Sequence, residues 1–178
     1  VIKHRDFLNK INVFPVPDGD TGSNMAFTLG NVLSGALNRR EHSTGELLRR
    51  VSEHAIDGAR GNSGAILAQF FTGVSERIGT SPIASLEQMA QAIRHGADTA
   101  RQALSEPKEG TILSVITAFA ASLQTDSRGF HFKHWFENAL IAARKALANT
   151  PNQLPVLQQA GVVDAGAQGF VDLLEGVY

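Results

Sequence analysis

Two aspartates separated by a single glycine have the types and spacing needed for chemistry. Asp18 and Asp20 flank Gly19, and Pro15 and Pro17 come just before them. Proline favours an extended backbone, in which side chains two apart point the same way, so both carboxylates can reach one site. Close carboxylates repel each other unless a cation lies between them, and oxygen ligands suit Mg²⁺. The pattern therefore predicts a magnesium site; an Asp–Gly turn with an Asp helix cap is the structural alternative.

The residues around this pair extend the predicted site. Asn12 offers a side-chain carbonyl oxygen six residues before Asp18 and is the candidate for a third metal ligand. A helix is predicted to begin near Ser23, so its unpaired amides would face phosphate oxygens beside the metal. A carboxylate-bound Mg²⁺ next to a helix N-terminus is typical of phosphoryl transfer.

Glycine-rich loops precede four predicted helices. These loops are 17–24 (PDGDTGSN), 58–64 (GARGNSG), 109–111 (EGT) and 161–169 (GVVDAGAQG). Glycine lets a ligand approach the backbone closely, and a helix N-terminus is the positive end of the helix dipole. Four such N-termini at one end of the molecule would form an anion site. The alternative is that glycine merely ends helices, and for any single loop that alternative is favoured.

Apolar residues recur at helical spacing along most of the chain, as in Ile66, Phe70, Val74 and Ile78. The predicted helices lie near 1–11, 23–37, 46–58, 66–78, 86–104, 112–123, 136–147, 153–160 and 165–178. The prolines fall between these stripes or in their first turns, and no strand-like alternation is present. The sequence therefore predicts an all-α fold of about eight helices.

The composition is that of a globular domain without a strong net charge. The chain has 178 residues, 43% hydrophobic and 19% charged, with a net charge of −1, so a nucleic-acid partner is not expected. It has no cysteine, which excludes thiolate metal sites and agrees with a cytoplasmic location. No apolar run approaches the ~20 residues of a membrane span. We expect one domain over 1–178, cut from a longer protein, because the chain begins with Val1 and ends within a helical pattern.

Four motifs in this order resemble the DhaL-type kinase domain, and most closely the ATP-binding N-terminal domain of the bacterial fatty acid kinase A subunit. The motifs are PVPDGDTGSNM, GARGNSGAIL, EGTIL and AGVVDAGAQGF. The resemblance implies an antiparallel barrel of eight helices with ATP bound at one end and two Mg²⁺ ions held by acidic residues. Asp18 and Asp20 match the metal ligands. The family pattern has a further Asp upstream, where Asn12 is the nearest polar residue here, and the glycerone-kinase branch has His where this chain has Thr21.

The resemblance also implies which residues contact the nucleotide. Carried over by position, they are Thr21, Ser23, Asn24, Asn62, Ser63, Thr111, Asp164 and Gly166. Arg60 in the second motif has two interpretations. It stabilises phosphate charge as a catalytic residue with Asp18 and Asp20, or it pairs with a neighbouring carboxylate.

In this branch the kinase domain phosphorylates a fatty acid held by a separate lipid-binding protein, so the implied product is an acyl phosphate. A carboxylate acceptor is already deprotonated at neutral pH, and no general base is required. We further expect a homodimer formed through the rest of the chain. Two alternatives remain: a dihydroxyacetone (glycerone) kinase subunit, and a regulatory module that binds nucleotide or lipid without turnover.

Other patterns are weaker. There is no P-loop motif and no dinucleotide-binding glycine motif after a strand. A metal cluster of His131, His134 and Glu137 is disfavoured against an amphipathic helix start. The aromatic residues of the same segment are interpreted as core anchors: Phe130, Phe132, Trp135 and Phe136. The pairs Arg39–Arg40 and Arg49–Arg50 are interpreted as a solvated face.

Overall fold

The computed structural model describes residues 1–36, 41–125 and 131–178, and every regular element in these ranges is helical. A short 3-10 helix, Ile2–His4, leads into the first α-helix. The α-helices are α1 (Arg5–Lys10), α2 (Thr21–Gly35), α3 (Thr44–Asp57), α4 (Gly61–Ile78), α5 (Leu86–Gln102), α6 (Ile112–Thr125), α7 (Phe132–Ala148), α8 (Thr150–Gln153), α9 (Pro155–Ala160) and α10 (Ala165–Val177). The predicted all-α class is confirmed. The end of the helix predicted over 23–37, the Arg39–Arg40 pair and Phe130 lie outside the described residues.

Seven of these helices, α2 to α7 and α10, are at least 13 residues long and follow the predicted stripes. The helix predicted near 153–160 corresponds to α9, which begins two residues later, because Leu154 separates it from the short α8. Leu154 has an extended backbone (φ −125°, ψ 109°), and Pro155 follows it. A residue before proline is disfavoured in the helical region, so the helix is interrupted there.

Contacts between the long helices form a closed cycle. Each helix from α2 to α7 packs against the next, and α10 contacts α6, α7 and α2. A helical barrel requires such a return to the first helix, and the barrel itself stays a prediction. Edge-to-face phenylalanine rings connect four helices in the core: Phe70 lies 5.6 Å from Phe170, Phe170 lies 6.0 Å from Phe119, and Phe119 lies 5.6 Å from Phe136.

The aromatic residues at the start of α7 follow the core interpretation only in part. Trp135 and Phe136 are buried, at 1% and 6% exposure. Phe132 is 54% exposed, although its ring stacks 5.7 Å from that of Phe136, so its prediction as a core anchor is wrong. As the first residue of α7, Phe132 lies at the edge of the core, where few neighbours can cover it.

Two glycines set the close approach of α4 and α5. A Cβ atom on Gly96 would lie 2.6 Å from the Phe70 carbonyl oxygen and 2.7 Å from Val74 Cγ2. Gly73 faces the same contact from α4, where a Cβ would lie 2.8 Å from the Gly96 Cα. These distances are too short for any side chain, so the contact depends on glycine.

Gly96→Ala is therefore expected to lower the free energy of unfolding by about 1–3 kcal/mol, because the added methyl group overpacks the contact. Gly30 is the matched control, since it lies within α2 and has nothing within 4 Å of its Cβ position. Gly30→Ala is expected to raise the stability by about 0.5–1 kcal/mol through helix propensity. Urea denaturation of both variants measures the difference, and equal stabilisation of both would contradict the close α4–α5 packing.

Candidate functional site

Two adjoining cavities open where the N-termini of α2, α4, α6 and α10 meet. The wide cavity has a volume of about 300 Å³. It is lined by Phe14, Pro15, Thr21, Asn62, Ser63, Ile66, Leu104, Glu106, Lys108, Thr111, Ile112, Asp164 and Gly166. The acidic cavity has a volume of about 160 Å³. It is lined by Asn12, Pro15, Val16, Asp18, Asp20, Thr21, Asn24, Gly61, Asn62 and Ser63. All four glycine-rich segments thus contribute to one end of the molecule.

The loop that carries the aspartate pair is held by side-chain amides. The Thr21 N–H donates to Asn12 Oδ1 at 3.1 Å, and the Thr21 hydroxyl donates to the same oxygen. Asn12 Nδ2 donates to the Val16 carbonyl at 2.8 Å. Asn12 is buried, and these bonds occupy its amide. The side chain of Asn12 thus closes the loop through its hydrogen bonds. The role of Asn12 as a third metal ligand stays a prediction.

Among the described residues, the two aspartate side chains make no hydrogen bonds of this kind. Asp18 and Asp20 line the acidic cavity from an exposed loop, and Gly19 between them has φ +68°. Asp20 stands at the N-cap of α2, but its side chain accepts no capping hydrogen bond. Among the described residues neither carboxylate has a hydrogen bond or an ion pair. Asp20 thus lies at the cap position, and Gly19 forms a bend, but the capping hydrogen bond of the structural alternative is not made.

The N-terminus of α4 offers free amides beside this pair. In the described part of the chain no side chain caps α4, and the N–H groups of Gly61, Asn62 and Ser63 have no acceptor. The first helical hydrogen bond of α4 runs from the Gly64 N–H to the Arg60 carbonyl at 3.0 Å. Unpaired N–H groups at the positive end of an 18-residue helix are suited to an anion.

At the other three helix N-termini, side chains accept from some of the first amides. In α2, Asn12 accepts from Thr21, and Asn9 Oδ1 accepts from the Ser23 N–H at 3.0 Å. In α6 and α10 a single side chain, Asp164, accepts from the Ile112 N–H and from the Ala167 N–H. Of the four N-termini, α4 is thus the one whose first turn has no side-chain acceptor among the described residues.

Asp164 bridges the starts of two helices. Its Oδ2 accepts from the Ala167 N–H at 2.8 Å and from the Ile112 N–H at 3.1 Å, and its own N–H donates to Thr150 Oγ1 at 3.1 Å. Burial raises the pKa of Asp164 to about 6, because removal from water disfavours the carboxylate more than these amides and that of Gly166 favour it. The residue fixes α6 and α10 together at the wall of the wide cavity.

Most of the predicted nucleotide contacts lie at these cavities. The acidic cavity is lined by Asn24, and the wide cavity is lined by Thr111, Asp164 and Gly166. Three further predicted contacts line both cavities: Thr21, Asn62 and Ser63.

Two predicted site residues lie elsewhere. Ser23 lines neither cavity, and its hydroxyl accepts from Asn9 Nδ2 at 2.9 Å. Arg60 also lines neither cavity; its guanidinium lies 4.9 Å from the centre of the half-exposed Phe27 ring. In the portions the structure describes, Arg60 is in no ion pair, so its interpretation as the partner of a neighbouring carboxylate is not supported. Its role toward phosphate stays a prediction.

The wide cavity also contains residues that were not among the predicted nucleotide contacts. Apolar side chains come from Phe14, Ile66 and Ile112, and the loop between α5 and α6 adds Leu104, Glu106 and Lys108. That loop has no glycine before Gly110 and resembles an ordinary helix boundary. Only the fold brings it to the cavity.

The alternative metal cluster has no counterpart over 1–36, 41–125 and 131–178, since no group of three or more His, Cys, Asp or Glu residues is placed to hold an ion there. His134 Nδ1 lies 3.8 Å from Glu137 Oε2 as an ordinary pair on the surface of α7. No helix within the described ranges has the length and apolar character to cross a membrane.

Comparison with known proteins agrees with the motifs. An uncharacterized protein of Staphylococcus saprophyticus is 40% identical over 174 residues, which cover 97% of this chain and 32% of that protein. Uncharacterized proteins of Staphylococcus haemolyticus and Staphylococcus aureus are 40% and 37% identical over 172 residues, 96% of this chain and 31% of each relative. The chain thus spans about a third of the length of the relatives it matches.

A family profile matches nearly the whole chain. The DAK2 domain is matched over residues 15–178, which include all four glycine-rich segments. This match supports a nucleotide-binding, kinase-like domain. With the family profile covering the acidic loop, the α4 N-terminus and the Asp164 bridge alike, the chain belongs to the DAK2 domain family, the DhaL-type domains.

Proposed function

We propose that this domain binds Mg-ATP and transfers the γ-phosphoryl group to the carboxylate of a fatty acid presented by a separate lipid-binding protein. The observation that carries the proposal is that Asp18, Asp20 and the first amides of α4 meet around one cavity, and that none of these groups has a partner among the described residues. The family supports the nucleotide-binding part. The acceptor follows from the fatty acid kinase-like motifs.

The donor set at the acidic cavity fits Mg²⁺. Asp18 and Asp20 supply carboxylate oxygens, and no sulfur or imidazole lines this cavity among the residues that the structure describes. Hard oxygen ligands favour Mg²⁺ over softer metals. Asp18 and Asp20 would hold the metal, which when bound neutralises phosphate charge; the expected number of ions is two.

The protein's own groups position the phosphates. The amides of Gly61, Asn62 and Ser63 donate to phosphate oxygens at the positive end of α4. The wide cavity, with apolar walls from Phe14 and Ile66, takes the nucleoside. Alignment and charge neutralisation account for catalysis, as phosphoryl transfer requires.

A carboxylate acceptor agrees with the groups present. It is deprotonated at neutral pH, so the site needs no general base. Thr21, which stands where the glycerone-kinase branch has His, is 7% exposed, and its hydroxyl donates to Asn12. Because this hydroxyl is hydrogen-bonded within the loop, it is not placed to act on an acceptor.

The proposal is tested in two steps. Calorimetric titration of the 178-residue protein with ATP is expected to show binding with Mg²⁺ and at least about tenfold weaker binding with EDTA, because a metal held by Asp18 and Asp20 would neutralise phosphate charge. The full-length protein, with fatty acid and its lipid-binding partner, is then expected to form acyl phosphate. Absence of Mg-ATP binding refutes the site.

The second step also separates the alternatives. In a parallel reaction with dihydroxyacetone as the acceptor, formation of dihydroxyacetone phosphate without formation of acyl phosphate from the fatty acid would assign the glycerone-kinase activity, for which the DAK2 match is the supporting observation. Nucleotide binding without transfer to either acceptor would identify a regulatory module.

A further inference from the structure

The loop between α5 and α6 forms a fixed wall of the wide cavity. Its residues Leu104, Glu106 and Lys108 line the cavity. The Leu104 N–H donates to the Arg101 carbonyl at 3.4 Å, and the Thr111 hydroxyl donates to the Lys108 carbonyl at 2.7 Å. The backbone is thus tied at both ends, and the side chains between them are presented to the cavity from a defined position.

Glu106 and Lys108 offer opposite hydrogen-bonding groups at this wall. Lys108 Nζ lies 3.4 Å from Glu106 Oε2, and the two side chains are 55% and 79% exposed. An ion pair this exposed contributes little to stability. Each group can therefore leave the ion pair and bind a ligand at a small cost in free energy. Glu106 then accepts a hydrogen bond, and Lys108 donates one.

The arrangement of the two cavities sets which part of a nucleotide reaches this pair. Asp18 and Asp20 line only the acidic cavity, whereas Glu106 and Lys108 line only the wide cavity. Four residues line both cavities and lie between the aspartates and the Glu106–Lys108 pair: Pro15, Thr21, Asn62 and Ser63. A nucleotide whose phosphates occupy the acidic cavity places its base toward the α5–α6 loop.

We propose that Glu106 and Lys108 select the base of the bound nucleotide, with Glu106 accepting from the exocyclic amino group of adenine and Lys108 donating to a ring nitrogen on the same edge. This inference rests on the proposed function, because it needs the triphosphate in the acidic cavity. Hypoxanthine carries a carbonyl oxygen where adenine carries the amino group. That oxygen would face the Glu106 carboxylate, so the inosine nucleotide is disfavoured.

Calorimetry with Mg-ATP, Mg-ITP and Mg-tripolyphosphate tests the inference. The unmodified protein is expected to bind ATP about tenfold more tightly than ITP, as one charged hydrogen bond allows. In Glu106→Gln the preference is expected to fall to about threefold or less, because an amide both donates and accepts. In Lys108→Met the ATP affinity is expected to fall about threefold to tenfold through loss of the donor. Tripolyphosphate has no base, and its affinity is expected to stay the same in both variants.

Lys145→Met is the matched control, since Lys145 is exposed on α7 and lines neither cavity. Thermal unfolding checks that every variant is folded. No ATP preference in the unmodified protein, an unchanged preference in Glu106→Gln, or an equal loss of tripolyphosphate affinity in Lys108→Met overturns the inference while the proposed function stands. If none of the three ligands binds the unmodified protein, the proposed function fails, and the inference fails with it.

Discussion

The double variant Asp18→Asn with Asp20→Asn is expected to lose Mg²⁺-dependent ATP binding, with an affinity at least about 100-fold weaker than that of the unmodified protein. The substitution keeps size and polarity but removes both negative charges. Neither carboxylate has a partner among the described residues, so the change leaves no protein group unsatisfied. The loss is therefore expected without loss of the fold. Calorimetric titration with ATP in the presence and absence of Mg²⁺ measures it.

Asp98→Asn is the matched control for this experiment. Asp98 forms an exposed pair with Arg94 at 3.3 Å and lines neither cavity of the site. Its replacement removes a carboxylate of the same kind at a distance from the proposed nucleotide site. The ATP affinity is expected to stay within about twofold, because an exposed ion pair contributes little to the stability of the fold. Unchanged Mg²⁺-dependent binding by the Asp18 and Asp20 double variant would refute the metal site.

Asp164→Ala is expected to be about 2–4 kcal/mol less stable than Asp164→Asn at pH 7, since alanine leaves the buried N–H groups of Ile112 and Ala167 without an acceptor. Asparagine keeps an oxygen where both amides donate, and it removes the buried charge. Urea denaturation of the two variants measures the difference. Equal stabilities would mean that the bridge between α6 and α10 contributes nothing.

Comparison of the unmodified protein with Asp164→Asn gives a pH dependence of stability with a defined sign. Burial raises the pKa of Asp164 from 3.8 to about 6, so between these values the folded protein binds more protons than the unfolded chain. The stability that Asp164 contributes is therefore fully present below about pH 4 and is lost as the pH rises through about 6. Relative to Asp164→Asn, the unmodified protein is expected to lose on the order of 2 kcal/mol between pH 4 and pH 7. A constant difference over this range would contradict the raised pKa.

The helices could be predicted because their signals are local. The stripe Ile66, Phe70, Val74 and Ile78 lies on one face of any helix, and in the structure all four side chains are buried in α4. The later start of α9 has an equally local cause, the proline after Leu154, and the rule that explains it can be applied to the sequence alone. By contrast, the partial exposure of Phe132 depends on how many neighbours reach the first turn of α7, which no local pattern contains.

The candidate site could be predicted where the chemistry lies within one loop. Asp18, Gly19 and Asp20 are adjacent, so their meeting in one cavity needs only local geometry. The Asp164 bridge to Ile112 joins residues 52 apart in the chain, and no local pattern indicates that one carboxylate accepts from the first amides of both α6 and α10. The sequence contains four glycine-rich helix starts but does not indicate which of them receive a side-chain acceptor.

From the sequence by itself come the all-helical class, the acidic loop and the family resemblance, because helix periodicity, turn chemistry and motif order are properties of short segments. The tertiary structure alone decided that, among the described residues, side chains accept from the first amides of α2, α6 and α10 but not of α4. It also decided that Arg60 and Ser23 lie outside the cavities, and that Glu106 and Lys108 line one of them. Each of these facts depends on which groups from distant segments meet. A hydrogen bond or a cavity wall forms between surfaces that only packing brings together.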